Sequence, residues 1–287
     1  MPLARDVAGI AFHTPIVLAA GTAGYGRELA GTVDLDCLGG LITKATSLRP
    51  VGGNRPPRVA EFDAGMLNSV GLANPGADAV RDDALPWLAR ERPSLRVLVN
   101  VVGFAIEEYA AVIARLDDVH GHAGYELNLS CPNTAAGGIE FGADERCVTE
   151  IISRCRAVTR RPLFAKLSPV LPDIPRMARV ATEAGASGVS LVNTLPGIVF
   201  DGGATRVGNG FGGVSGPALR PVALLAVQRT ARALPGCPII ASGGVATADH
   251  VRDFLRAGAA LVAIGTAALA DPRLPQRIVA ELEASGG

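Results

Sequence analysis

The sequence predicts an α/β fold, a single (β/α)8 TIM barrel over residues 1–287 with long loops on its C-terminal face. Three observations predict it. Eight short apolar runs recur along the chain, segments of helical period separate most of them, and two long connections rich in Gly, Pro and Asn each follow a run. Continuous apolar runs suit strands buried on both faces of a parallel sheet. A length of 287 residues fits one barrel of ~250 residues. A doubly wound sheet is the alternative architecture, but eight strands of this regularity favour closure.

The predicted strands in order are IVLAA (16–20), GGLITKA (39–45), RVLVNVV (96–102), YELNLS (125–130), PLFAKLS (162–168), GVSLVN (188–193), PIIASGG (238–244) and ALVAIGT (260–266). The helical segments are 76–91, 106–120, 144–158, 173–186, 217–234, 247–259 and 275–285. Thr247 or Asp249 caps one of them at its start and Gly258 closes it. The connections 45–75 and 194–217 are longer than plain βα loops. Loops of that length in a compact domain are usually functional, and these two fall on the face where barrel chemistry lies.

Composition narrows the classes. A formal net charge of zero argues against a nucleic-acid or membrane-surface role. The longest apolar run, AALVAIGTAALA, is shorter than the ~20 residues that span a bilayer. Five scattered cysteines (37, 131, 147, 155, 237) show neither a C-x-x-C pair nor zinc spacing, so no metal site is expected. Their odd number, with no apolar stretch of signal-peptide type at the start, points to a reducing cytoplasm.

Three residue types concentrate at predicted strand ends. Only two of the 27 basic side chains are lysines, Lys44 and Lys166, and each closes a strand. Lysine is a compact charge, not interchangeable with arginine; the plain alternative is snorkelling at a barrel rim. Asn100, Asn128 and Asn193 also end strands, with Asn68 and Asn133 in adjacent loops. Amides present both donor and acceptor and suit a planar ligand with carbonyl and N–H groups, although Asx-turns use the same residue. Glycines mark the last two strands in ASGGV (241–245) and AIGTA (263–267), where such barrels frequently bind phosphate.

Cys131 follows the fourth strand in GYELNLSCPN (124–133). It could act as a general base, as a nucleophile, or only as core. The histidines (13, 120, 122, 250) end no core strand, so the usual acid–base residue is missing from that face.

The strings ITKAT, GNRPPRV, GMLNSVGLANPG, ELNLSCPN, KLSP, LVNTLPG, GGVSGPAL and AGAALVAIGTA together resemble class 1 dihydroorotate dehydrogenase, from about residue 5 to 275. GMLNSVGLANPG is most like the class 1B catalytic subunit. The resemblance implies an FMN-containing barrel that oxidises dihydroorotate to orotate in pyrimidine synthesis. It implies a homodimer, joined in class 1B by a separate FAD and iron–sulfur subunit that passes electrons to NAD. This chain has no Rossmann fingerprint or cysteine cluster of its own.

Carried onto this sequence, the resemblance makes Cys131 the base that takes the proton from C5 while hydride leaves C6 for flavin N5, with Lys44 beside flavin and substrate. It gives the substrate carboxylate to Asn68 and to the backbone of Ser69, Val70, Gly71 and Leu72. It gives the pyrimidine amides to Asn128, Asn133, Asn193 and Thr194. Ala20, Lys44, Ala45, Asn100, Asn128, Lys166 and Val192 line the flavin, and Gly216, Gly243, Gly244, Gly265 and Thr266 hold its phosphate. The segment 132–142, with its glycines, reads as a lid. Three departures stand out: Ala20 where serine is frequent, Val170 where asparagine is common, and ASGG for GMGG. The competing readings are an FMN enzyme of a related dihydropyrimidine ring, a Schiff-base aldolase using Lys166, and a non-catalytic scaffold barrel.

Overall fold

Eight parallel strands close into a barrel in simple chain order: β1 (Ile16–Leu18), β2 (Gly40–Ile42), β3 (Arg96–Val101), β4 (Gly124–Asn128), β5 (Leu163–Leu167), β6 (Gly188–Leu191), β7 (Ile239–Ser242) and β8 (Leu261–Ile264). Seven of the eight predicted runs contain one of them, usually trimmed by a residue or two, and β4 begins at Gly124, one residue before its predicted run. The structure is a computed structural model that describes residues 3–130, 132–133 and 139–285.

Helices follow the strands from β2 onward. They are α1 (Leu85–Glu91), which continues the helical turns Ala77–Ala79 and Val80–Ala84, then α2 (Ile106–Leu116), α3 (Glu145–Val158), α4 (Ile174–Glu183), α5 (Arg220–Ala233), α6 (Ala248–Arg256), α7 (Thr266–Ala270) and α8 (Leu274–Ala284). Between β1 and β2 the one helical element is the 3₁₀ turn Leu35–Cys37. Side chains cap the helices where the sequence offers them. Asp144 accepts from the N–H groups of Arg146 and Cys147, and Asp173 from that of Arg176. Thr247, not Asp249, is the cap of α6, accepting from His250 N.

Alternation along each strand sorts side chains into two cores. Outward residues such as Leu41, Val99, Leu127, Ala165 and Leu191 pack against the helices. Inward residues near the N-terminal end, including Val17, Ile42, Leu98, Phe164, Ile240 and Leu261, fill the barrel's floor. An antiparallel hairpin, Arg5–Val7 with Ile10–Phe12, closes that floor by adding Val7, Ile10 and Phe12 to the same cluster. The N-terminal end is thus sealed by apolar contact.

The opposite end is roofed by a four-stranded antiparallel sheet. Its strands come from the two long connections, in the order Leu195–Gly197, Gly212–Ser215, Gly65–Asn68, Val59–Phe62. The register pairs Asn68 with Gly213 and Leu195 with Val214. The loops are therefore not independent flaps; each holds the other in place across the mouth.

Candidate active site

The inward positions change chemistry halfway up the barrel. Above Leu98 on β3 comes Asn100; above Gly124 on β4 come Glu126 and Asn128; above Phe164 on β5 comes Lys166; above Gly188 on β6 comes Ser190. These are adjacent positions in the strand register, so they form one polar layer over an apolar floor.

Polar groups in an interior cost several kcal/mol unless paired, and these are paired. Glu126 Oε1 accepts from Asn100 Nδ2 at 2.6 Å and from Lys166 Nζ at 3.3 Å. Asn100 is further fixed through its backbone N–H, which donates to Thr43 Oγ1 at 3.1 Å. Ser190 Oγ, next to Lys166 in the register, is buried and has no partner among the described residues.

One step higher, amides link up. Asn128 Oδ1 accepts from Asn193 Nδ2 and from Ser130 N, both at 3.3 Å, so its own Nδ2 is unengaged among the described residues. Asn193 Oδ1 in turn accepts from Thr194 N at 2.8 Å. Thr194 lies against Gly213, and Asn68 Nδ2 donates to the Gly213 carbonyl at 3.1 Å. Roof and rim thereby bring Asn68, Thr194, Asn193 and Asn128 into one chain of contacts, although 145 residues separate Asn68 from Gly213. Behind the site, Tyr109 OH donates to the Asn128 carbonyl at 2.8 Å and holds the end of β4.

The segment Ser69–Leu72 has a backbone of special shape. Gly71 and Leu72 both lie in the left-handed region, at φ 70° and 56°. For leucine that conformation costs roughly 1–2 kcal/mol. Neighbouring amides hold it. Asn54 N donates to the Val70 carbonyl, Asn54 Nδ2 to the Ser69 carbonyl and hydroxyl, and Asn74 Nδ2 to the Leu72 carbonyl. Asn54 and Asn74 were not singled out from the sequence.

The remaining predicted positions fall around this mouth. Lys44 continues the inward alternation of Gly40 and Ile42, is half-buried, and makes no ion pair among the described residues. Ala45 is buried, its carbonyl accepting from Tyr25 OH at 3.0 Å. Val192 is buried at the end of β6, its carbonyl accepting from Ser242 Oγ. Ala20 sits in the turn after β1, and Val170 is exposed on the rim. Asn133 pairs with Ile139 in a short two-stranded ribbon. Cys131 and residues 134–138 of the expected lid lie outside the described residues.

The glycine positions converge. Gly244 has φ +69°, and a Cβ there would lie 2.7 Å from the Gly216 carbonyl oxygen, so turns after β7 and before α5 touch only because it is glycine. Thr266 Oγ1 donates to Ser215 Oγ at 2.8 Å, tying in the turn after β8. At Gly265 a Cβ would meet nothing nearer than 3.5 Å, and neither Gly243 nor Gly244 donates a backbone hydrogen bond among the described residues. Room and unengaged N–H groups coincide here, as a phosphate requires. A buried orphan hydroxyl at Ser190 and a lysine with N–H groups to spare suit the ring of a polar heterocycle. The residues present therefore fit FMN.

Other titratable groups do not compete for the chemistry. Burial pushes the Cys155 thiol up to about 12 and the Cys37 thiol up to about 11, so neither is a thiolate near neutral pH. Burial pushes His122 down to about 4; it is packed on the helix side with Tyr125. Among the described residues no group of three His, Cys, Asp or Glu could hold a metal ion, and no helix is long and apolar enough to cross a membrane.

Glu126 is the main residue missed from the sequence. The available signal was a charged residue inside a buried run, two positions before Asn128 and so on the same inward face.

The fold and site together make this a (β/α)8 barrel with an apolar floor and a charged pair and an amide chain at its mouth, where barrels of this kind carry their chemistry. The family model for dihydroorotate dehydrogenase matches residues 2–285, and the chain belongs to that family. It is 48% identical over 282 residues to a Solibacter usitatus protein named dihydroorotate dehydrogenase A (fumarate), covering 98% of this chain and 92% of that one. It is 44% identical over 279 residues to the Desulforudis audaxviator dihydroorotate dehydrogenase B (NAD(+)), catalytic subunit, covering 96% and 90%. A solved structure of Eimeria tenella DHODH in complex with ferulenol shares the fold, with TM-score 0.82 at 24% identity over 99% of this chain and 85% of that one.

Proposed function

We propose that the chain binds FMN at the barrel mouth and oxidises dihydroorotate to orotate, with Cys131 as the base. The observation that carries this reading is the polar layer Asn100–Glu126–Lys166, capped by the amide chain from Asn128 to Asn68 in a member of this family. Bound there, FMN supplies the acceptor for the hydride from C6 of the substrate. The turns at Gly216, Gly243, Gly244 and Gly265–Thr266 hold its phosphate, while Ala20, Ala45, Asn100 and Val192 line its ring. Lys166 places a fixed cation at the edge where negative charge grows on reduction. Lys44, Asn68 and the backbone of Ser69–Leu72 hold the substrate carboxylate. Asn128, Asn133, Asn193 and Thr194 orient the pyrimidine ring, which matters because correct placement supplies much of the rate.

A thiol suits the base position. It is neutral when the anionic substrate arrives, whereas a carboxylate would repel it in a closed site. Cys131 takes the C5 proton, and immediately after it residues 132–133 pair with 139–140 in a short ribbon.

The terminal acceptor is read as NAD, reached through a separate FAD and iron–sulfur subunit, in a soluble cytoplasmic assembly built on a homodimer. Relatives named as NAD(+)-type catalytic subunits support the acceptor and the existence of a further subunit. The Solibacter relative favours a second reading, direct reoxidation by fumarate. Stopped-flow reoxidation of the reduced protein by fumarate separates them: slow reoxidation supports the NAD reading.

Cys131→Ala tests the site itself. The variant should keep FMN and bind orotate but lose about 10²–10⁴ in the rate of flavin reduction. The wild-type rate should rise with pH and level off once the thiol is ionised, which for an unshifted thiol is at ~8.5. Reduction of Cys131→Ala at the wild-type rate would assign the proton to another group.

A further inference from the structure

Glu126 and Lys166 are the two acidic or basic side chains with fixed charge among the described buried residues, at 1% and 9% exposure. They form one pair, braced by Asn100 on the shared oxygen Oε1. A buried ion pair is weak evidence for stability, since apolar replacements of similar volume often do as well or better. Stability therefore does not explain a carboxylate at this depth. Its position does: it lies one layer below the mouth, against the lysine whose charge faces the cofactor in the reading above.

We propose that Glu126 is a positioning and tuning residue. Its carboxylate holds the Lys166 ammonium at a set point and offsets its charge, so the pair, not the lysine alone, sets the reduction potential of the bound flavin. This inference rests on the FMN reading. Glu126 itself is buried one layer below the mouth and would act on the flavin through Lys166 and through the field. The pair contributes a net charge of zero in the wild-type chain. Replacing the acid by its amide leaves an acceptor oxygen for Asn100 and Lys166 and makes the sum positive. Replacing the lysine by methionine makes it negative. Doing both restores zero.

The test is the midpoint potential of the bound flavin in purified wild-type protein and in Glu126→Gln, Lys166→Met and the double variant, read against reference dyes. Glu126→Gln should bind reduced flavin about tenfold better relative to oxidised flavin than wild type does, a rise of ~30 mV for a two-electron couple. Lys166→Met should shift the potential the other way, and the double variant should return towards wild type. An unchanged or lowered potential in Glu126→Gln, or a double variant that tracks either single one, overturns the proposal. Wild-type protein that takes up no flavin would instead overturn the FMN reading. If a variant loses its flavin, thermal unfolding of the same four proteins decides. Each single variant leaves one buried charge uncompensated, so the double should melt above both; a double no more stable than the singles refutes the charge pairing.

Discussion

Gly213→Ala tests the roof of the site. The residue sits where two distant loops meet, in register with Asn68. An added Cβ would stand 2.0 Å from Thr194 Oγ1 and 2.7 Å from Thr194 Cβ. Rotating the threonine hydroxyl away relieves the first contact but not the second, because Cβ does not move with χ1. To reach ordinary contact the Thr194 backbone must retreat by roughly 1 Å, and overpacking of this kind costs about 1–3 kcal/mol. Thr194 N donates to Asn193 Oδ1, so the shift passes into the amide chain that ends at Asn128. A displacement of ~1 Å in positioning groups can cost about 10²-fold in rate. The expected result is a ~10²-fold drop in flavin reduction by dihydroorotate and a weaker orotate complex. Flavin content should hold, since the clash falls on Thr194 and not on the glycine turns. Anaerobic stopped-flow absorbance and an orotate titration measure both. Wild-type reduction and orotate affinity in a folded Gly213→Ala protein would show that the roof does not position the substrate.

Two further expectations concern stability. His122 is held neutral by burial at about 4 against an ordinary 6.5. Between those values the unfolded chain binds a proton that the folded chain refuses. The stability from this group is therefore complete above pH ~6.5 and declines towards pH 4, by up to about 3 kcal/mol. Urea unfolding across that range should show the slope, and His122→Gln should flatten it; an equal slope in the variant would assign it to other groups. Tyr109→Phe removes the hydroxyl that donates to the Asn128 carbonyl and should cost about 0.5–1.5 kcal/mol in urea unfolding. No loss there would mean that the end of β4 is held by packing alone.

The parts that were legible in the sequence share a physical cause. Strands such as Arg96–Val101 and Leu163–Leu167 are buried on both faces, so nearly every side chain reports the same environment. Asn100, Asn128 and Lys166 were legible as interruptions of that pattern at strand ends. The roof was not, because its strands are short, glycine-rich and paired across great separations. The long loops could be assigned to the mouth but not to each other. The N-terminal hairpin escaped for a related reason: its three-residue strands are too short for alternation to register, although the φ of 54° at Ala8 and 79° at Gly9 marks a tight turn. Glu126 lay in plain sight within YELNLS. Residue type alone does not mark it, because its meaning comes from facing Asn100 and Lys166 on neighbouring strands.

The most direct test of the account is the absorbance spectrum of the purified chain under anaerobic conditions, before and after dihydroorotate is added. The account predicts a yellow protein with a flavin band that bleaches on addition of substrate and forms orotate in equal amount. A colourless chain that takes up no FMN, or a flavin band that dihydroorotate leaves unchanged, would contradict it.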